Sequence, residues 1–288
     1  MRDDGVNLRK ISRVIRAMDT SDGAGVRLKR SVGSPALDML DPFLMLDSIS
    51  SDKADDYIAG FPEHPHRGFE TVTYMVEGAM RHNDSIGSEG VLRSGGVQWM
   101  TAGSGIIHSE TPEQEGGLLQ GFQLWINLPA KDKMRRPRYQ NLEADKVVEI
   151  SPDRGVDIRL VAGKAFGKTG PVSGIATKPV FMDVKLAAGA EVTLPVPDGH
   201  AAFVYVFIGD AEVAGRDVAT HHLAVLKDGN SVLLKGGTKG GRMLLIAASP
   251  LNEPVARHGP FVMNTRQELV QAFEDFQKGR FVRAKATS

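Results

Sequence analysis

Residues 64–72 of the chain are His64-Pro65-His66-Arg67-Gly68-Phe69-Glu70-Thr71-Val72, and they decide the fold. The alternation of polar and apolar residues that starts here continues to Val76 and predicts a β-strand. In an extended chain, residues two apart point to the same side. The imidazoles of His64 and His66 are therefore predicted to point to one place where this strand begins.

Short apolar runs of the same kind recur along most of the chain, with glycine, proline, aspartate or asparagine between them. Such runs predict strands, and 32 glycines suit the many turns that they need. The clearest are Val26–Lys29, Gly121–Leu128, Val180–Leu186, Phe203–Ile208 and Met243–Ala248. We therefore expect an all-β protein.

The C-terminal end of the chain is the exception to this pattern. Thr265 and Glu268 have the spacing of a capping box, in which the first residues of a helix exchange hydrogen bonds. Apolar residues then follow at helical spacing, at Leu269, Val270, Phe273 and Phe276. These features predict one short C-terminal amphipathic helix.

The chain of 288 residues is long enough for two domains of roughly 150 residues each. A weak internal repeat, in which Val72–Gly78 aligns with Phe203–Gly209, supports two related halves. In this alignment prolines stand in the second half where His64 and His66 stand in the first. We expect domains at 1–135 and 136–288, joined through a polar, basic connection, with a metal site in the first domain only.

Composition excludes several classes of function. Lysine and arginine together number 35, as do aspartate and glutamate, so no overall field favours nucleic acid as a direct partner. The chain has no cysteine, which excludes disulfides, thiolate zinc sites and iron-sulfur clusters. It also has no signal-like N-terminus and no apolar run of about 18 residues, so we expect a cytoplasmic protein without a membrane partner.

A second pair of metal-ligand residues, His108 and Glu110, repeats the spacing of His64 and His66. Three imidazoles and one carboxylate suit a divalent transition metal such as iron, manganese, nickel, copper or zinc, and leave positions open for other molecules. The alternative is that these are ordinary polar residues near turns. His82, His200, His221, His222 and His258 show no comparable arrangement, and we expect a structural or solvent role for them.

Two stretches resemble the signature sequences of the pirin family. They are the stretch that begins at His64 and Gln98-Trp99-Met100-Thr101-Ala102-Gly103-Ser104-Gly105-Ile106-Ile107-His108-Ser109-Glu110. Asp41–Asp47 and Pro250–Asn264 also look like segments of bacterial pirins, so the resemblance covers nearly the whole chain.

The resemblance implies a bicupin, that is, two cupin-type jelly-roll β-barrels packed face to face. It also implies one metal ion, commonly Fe(II), in the N-terminal barrel, with His64, His66, His108 and Glu110 as ligands. The C-terminal domain would be cupin-like without a metal site. Glu70 occupies the place of the glutamate ligand of general cupins, and we expect it to lie behind the ligands instead.

Two functions are compatible with this resemblance. Some pirins resemble quercetin 2,3-dioxygenases, which cleave flavonols with dioxygen, and in such a reaction Glu110 would accept the proton of the substrate hydroxyl. Eight apolar residues near the signature stretches would line a pocket for a flat aromatic substrate or fill the barrel core, and core packing is favoured for each taken singly. They are Phe43, Met45, Phe69, Tyr74, Trp99, Met100, Phe122 and Trp125. The alternative is a regulatory protein that senses a metal or its redox state and binds a transcriptional or metabolic protein partner.

Overall fold

The computed structural model describes residues 5–282, which form mainly β-strands. The first strands are β1 (Ile11–Arg16), β2 (Met18–Asp22), β3 (Val26–Arg30), β4 (Phe43–Ser51), β5 (Phe61–His66), β6 (Phe69–Glu77), β7 (Ala79–Asp84), β8 (Glu89–Arg93), β9 (Val97–Thr101), β10 (Ile106–Pro112), β11 (Leu119–Asn127) and β12 (Arg138–Leu142). The later strands are β13 (Val148–Ile150), β14 (Val156–Ala162), β15 (Lys164–Ala165), β16 (Lys168–Thr169), β17 (Val180–Leu186), β18 (Glu191–Pro195), β19 (Ala201–Val213), β20 (Arg216–Val218), β21 (His222–Leu226), β22 (Ser231–Ala248), β23 (Ala256–His258) and β24 (Phe261–Met263). The helix α1 spans Arg266–Gln277, and the all-β prediction is confirmed.

The chain forms two compact units that do not follow one cut after residue 135. Within the described residues, the first unit contains Met18–Ala144 and residues 251–282, and the second contains residues 5–17 and Asp145–Pro250. Strand β12 pairs with β9, which keeps the residues after 135 in the first unit. Strand β1 pairs with β21 and therefore belongs to the second unit.

The first unit is built mainly from two antiparallel sheets, to which the two-stranded β23–β24 pair is added. One has the strand order β12-β9-β6-β11-β4-β3-β2 and the other the order β5-β10-β7-β8. Apolar side chains from both sheets, among them Leu28, Ile49, Met75 and Met80, form one buried cluster. The sheets therefore enclose a core, and inward-facing positions alternate with outward-facing ones along each strand.

The second unit has a nine-stranded sheet whose main path is β1-β21-β19-β22-β17-β14-β13. Strands β18 and β20 pair with β22 and β19 respectively. The core is aliphatic and includes Leu160, Val184, Val204 and Leu245. The repeat in the sequence falls on central strands of both units, since β6 lies between β9 and β11 and β19 between β21 and β22.

Helix α1 begins where the sequence predicts it. The side chain of Thr265 accepts a hydrogen bond from the backbone N–H of Glu268, and the Glu268 carboxylate accepts one from the backbone N–H of Thr265, so the capping box is confirmed. Leu269 and Ala272 pack against Phe261 and Phe281 within the first unit. Within residues 5–282, no helix is both long enough and apolar enough to cross a membrane.

Candidate metal centre

Strands β5 and β10 bring three histidines together in the first unit. His64 on β5 lies directly opposite His108 on β10 in the antiparallel register, and His66 lies opposite Ile106. One potential ligand atom from each of His64, His66 and His108 lies within 4.8 Å of those of the other two. The ring centroids are 4.4 Å apart for His64 and His108 and 4.9 Å apart for His66 and His108. The two pairs predicted from spacing therefore meet at one point through three of their four members.

The nitrogen atoms of these histidines are available to a metal. His66 and His108 are each 1% exposed, and neither ring nitrogen of either residue makes a hydrogen bond of normal geometry. The Pro260 backbone is close enough to the His66 ring to act on its pKa as a weak hydrogen-bond partner. His64 is held through Nδ1, which lies 2.8 Å from the carbonyl oxygen of Pro62, so its other nitrogen is the one that can reach an ion. Buried nitrogens without partners are costly unless something else binds them, and a divalent transition metal fits three such donors.

Burial keeps two of the histidines uncharged. It lowers the pKa of His66 well below its usual value, and the nearby His108 and His64 lower it further. Burial also lowers the pKa of His108, to about 4. Neutral imidazole is the form that binds metals, so both rings are ready to act as ligands at neutral pH.

We expect the metal-free protein to lose stability as pH falls from about 6.5 towards 4. Unfolded histidines have a pKa of about 6.5, so in this range the unfolded chain binds more protons than the folded one. The free energy of unfolding should fall by about 1.4 kcal/mol per pH unit for each such histidine. Urea unfolding at several pH values, with and without bound metal, measures this slope. If the free energy of unfolding changed with pH in His108→Asn as it does in the parent protein, His108 would not be one of the histidines that cause the loss of stability.

Glu110 lies on β10, two residues beyond His108, with its side chain buried on the same face. Its Oε1 accepts a hydrogen bond from the Thr73 hydroxyl at 3.0 Å, and its Oε2 accepts one from Gln123 Nε2 at 2.8 Å. In residues 5–282 the close group of ligand atoms contains the three histidines and does not include Glu110. The structure therefore places Glu110 beside the histidines, held by two protein donors.

The charge of Glu110 follows from its neighbours. Burial acts to raise its pKa, but His108, His64 and the hydrogen bonds from Gln123 and Thr73 outweigh burial, so the pKa is lowered. The Trp125 indole N–H donates to Gln123 Oε1 at 3.0 Å. Because an indole can only donate, this bond fixes which end of the Gln123 amide faces Glu110. Gln123 was not among the predicted site residues. It nevertheless stands two positions before Trp125 on a strand, which is the same spacing that relates His64 to His66.

Glu70 has other partners. It accepts hydrogen bonds from Trp99 Nε1 at 3.1 Å and from the Thr101 hydroxyl at 2.6 Å. Burial raises the pKa of its carboxyl group. Glu70 lies on β6, in the sheet opposite β5 and β10, and it too does not belong to the close group of ligand atoms found in residues 5–282.

His82 is a second residue whose position was not predicted. It is 3% exposed and lies on β7 directly opposite Glu110, and Asp84 lies directly opposite His108. Opposite residues of an antiparallel pair have their side chains on one face of the sheet. His82 and Asp84 therefore lie on the same face as Glu110 and His108 and add polar side chains to it. The spacing in His82-Asn83-Asp84 repeats that of the two ligand pairs and could have pointed to them.

A cavity of about 530 Å³ opens onto the histidines. Its lining includes His64 and His66 together with Met45, Phe61 and Trp125. The Trp125 ring meets the His66 ring edge-on with centroids 5.1 Å apart, and the Arg257 guanidinium lies over the Trp125 ring at 5.2 Å. Met45 and Trp125 are thus the members of the predicted apolar set that line this cavity. The others are core residues here, for example Phe43, Phe69, Tyr74, Trp99 and Met100.

Comparison with known proteins identifies the family. Residues 25–126 match the Pirin family, and residues 181–282 match the Pirin C-terminal cupin domain. The chain is 49% identical over 275 residues to a pirin-like protein of Caulobacter vibrioides, covering 95% of this chain and 99% of that one. It is 41% identical over 285 residues to human pirin, covering 96% of each.

A solved structure agrees with the sequence matches. The crystal structure of quercetin 2,3-dioxygenase from Acinetobacter baumannii superposes with a TM-score of 0.88 at 34% identity and covers 95% of this chain and 98% of that one. The two units described above are therefore cupin domains, and this chain belongs to the pirin family.

Proposed function

We propose that this protein is a metal-dependent dioxygenase that cleaves quercetin-like flavonols. The observation that carries the proposal is the group of three close histidines beside a cavity of about 530 Å³. His64 and His66 line this cavity together with Met45, Phe61 and Trp125, and charged side chains such as Arg30 and Asp47 line it as well. A flat aromatic substrate suits such a cavity. The similarity to the Acinetobacter baumannii quercetin 2,3-dioxygenase supports the same reaction class.

The ligands that we propose are His64, His66, His108 and Glu110, and the ion is a divalent transition metal, with Fe(II) preferred over Mn, Ni, Cu or Zn. The three histidine side chains are already close enough to bind one ion. Glu110 would join them by turning one carboxylate oxygen, since both oxygens keep a lone pair beyond the bonds from Thr73 and Gln123. Such an ion supplies Lewis-acid chemistry, which lowers the pKa of a flavonol hydroxyl.

The remaining steps belong to the side chains of the chain itself. Glu110 is anionic because of its lowered pKa, so it can accept the proton of the flavonol 3-hydroxyl. Gln123 and Thr73 hold the carboxylate in place for that transfer. Trp125 and Met45 would bind the flat rings and exclude water. The deprotonated flavonol then reacts with one dioxygen, and both oxygen atoms enter the ester product while the ring carbon at position 3 leaves as carbon monoxide.

Oxygen uptake tests this proposal. Protein loaded anaerobically with Fe(II), Mn(II), Ni(II) or Cu(II) is mixed with quercetin and dioxygen, and uptake and carbon monoxide release are measured together. We expect one carbon monoxide per dioxygen, and a loss of about 10²–10⁴-fold in kcat for Glu110→Gln, as for removal of a general base. Glu115→Gln, at an exposed position, is the matched control. A fully metallated protein without oxygen uptake across a flavonol panel would overturn the proposal.

A further inference from the structure

A second, smaller cavity adjoins the one that opens onto the histidines. Its volume is about 20 Å³, a little more than the roughly 10–15 Å³ that one water molecule needs, so it can hold a single molecule of about that size. Ile49, Phe61 and Gln123 line both cavities, and Glu110 lines the smaller one. A molecule in the smaller cavity would therefore lie beside both Glu110 and the substrate cavity.

The walls of this cavity favour an apolar occupant. Met75, Met80, Leu119 and Phe122 present apolar side chains to it, and the first three belong to the buried cluster between the two sheets. The polar groups at the same cavity already bind one another, because Thr73 and Gln123 both donate to Glu110. The remaining lone pairs of the Glu110 carboxylate could accept hydrogen bonds from a water, but they are fewer partners than a buried water usually has. A buried water usually makes about three hydrogen bonds, whereas apolar cavities stay dry and bind apolar gases.

We infer that this cavity binds dioxygen and supplies it to the metal centre. The inference rests on the proposed dioxygenase function, for which dioxygen is the second substrate. Dioxygen is small, uncharged and apolar, so it prefers such a site to water. Because the smaller cavity is separate, dioxygen can stay bound beside Glu110 while the flavonol occupies the larger cavity.

Xenon tests the site without any turnover. Crystals pressurised with xenon, which occupies dry apolar cavities, should show an atom bounded by Met75, Met80, Leu119 and Phe122. Leu119→Phe should fill the cavity and remove that atom. Leu118→Phe, at the neighbouring exposed position, is the matched control and should leave it in place. A cavity in the parent protein that stays empty, or holds an ordered water, would overturn the inference.

Kinetics then test dioxygen itself. We expect Leu119→Phe to raise the KM for dioxygen roughly fivefold or more, with the KM for the flavonol unchanged. Met80→Phe, which adds a similar volume to the cavity from strand β7, is the second variant if Leu119→Phe does not fold. An unchanged KM for dioxygen in a variant that has lost the xenon atom would refute the supply of dioxygen. A protein that binds xenon here but consumes no oxygen would refute the proposed function and leave the apolar binding site standing.

Discussion

His108→Ala is expected to lose nearly all of the bound metal. His108 supplies one of three close ligands, and it is the one directly opposite His64 across the β5–β10 register. Loss of a residue that only orients a ligand already costs about 10–100-fold in metal affinity, so loss of a ligand should cost at least about 100-fold. Bound metal should therefore fall from about one ion per chain to less than about a tenth of that.

Metal analysis of protein purified without chelator measures this result directly. His258→Ala is the matched control, because His258 is exposed, its ring packs edge-on against Phe273, and it does not belong to the close group of ligand atoms found in residues 5–282. This control should keep the metal content of the parent protein. Circular dichroism confirms that both variants are folded. If His108→Ala kept full occupancy, the ligand assignment would be wrong.

The histidine cluster could be predicted because it depends on short-range geometry. Residues two apart on a strand point to the same face, whatever the rest of the fold is. The strand prediction alone therefore placed His64 on the same face as His66, and His108 on the same face as Glu110. That the two pairs meet came from the family resemblance, since pairing of β5 with β10 is a contact between distant parts of the chain. The approach of Glu110 to Thr73 and Gln123 depends on a third and a fourth strand. The two-residue spacing of Gln123 and Trp125 could mark Gln123 as a candidate, but it could not show that Gln123 binds Glu110.

The extent of the two units could not be predicted from local patterns. The segment after Pro129 is polar and basic, which favours a solvated connection, yet Lys133 is 1% exposed. Its Nζ donates to the carbonyl oxygens of Gly68 and Val262 and to Asn127 Oδ1. Burial lowers the pKa of Lys133 to about 8. Gly68 and Val262 are far from Lys133 in the sequence, and together with Asn127 they satisfy a lysine that would otherwise be expected at the surface. Contacts between such distant residues cannot be predicted from the periodicity of the sequence.

Asp275→Ala is expected to destabilise the first unit by about 3–5 kcal/mol. Asp275 on α1 lies with its Oδ2 2.8 Å from Arg67 Nη1, and the two side chains are 7% and 1% exposed. Arg67 also donates through Nε to the Ser104 carbonyl oxygen at 2.7 Å, and its guanidinium lies 4.4 Å from the centroid of the Phe281 ring. Alanine at 275 leaves a buried guanidinium without its countercharge, which is the costly way to break such a pair.

Chemical denaturation of the metal-free protein measures the loss, with Glu274→Ala as the matched control. Glu274 pairs with Lys278 on the exposed face of α1, where solvent screens an ion pair and it contributes little to stability. The double variant Arg67→Met with Asp275→Ala should recover most of the stability, because it removes the unpaired buried guanidinium and nearly keeps the volume of the side chain at position 67. A double variant as unstable as Asp275→Ala would mean that packing of α1, and not the unpaired charge, causes the loss. Since Arg67 follows His66 directly, Asp275→Ala should also weaken metal binding, and Glu274→Ala should not.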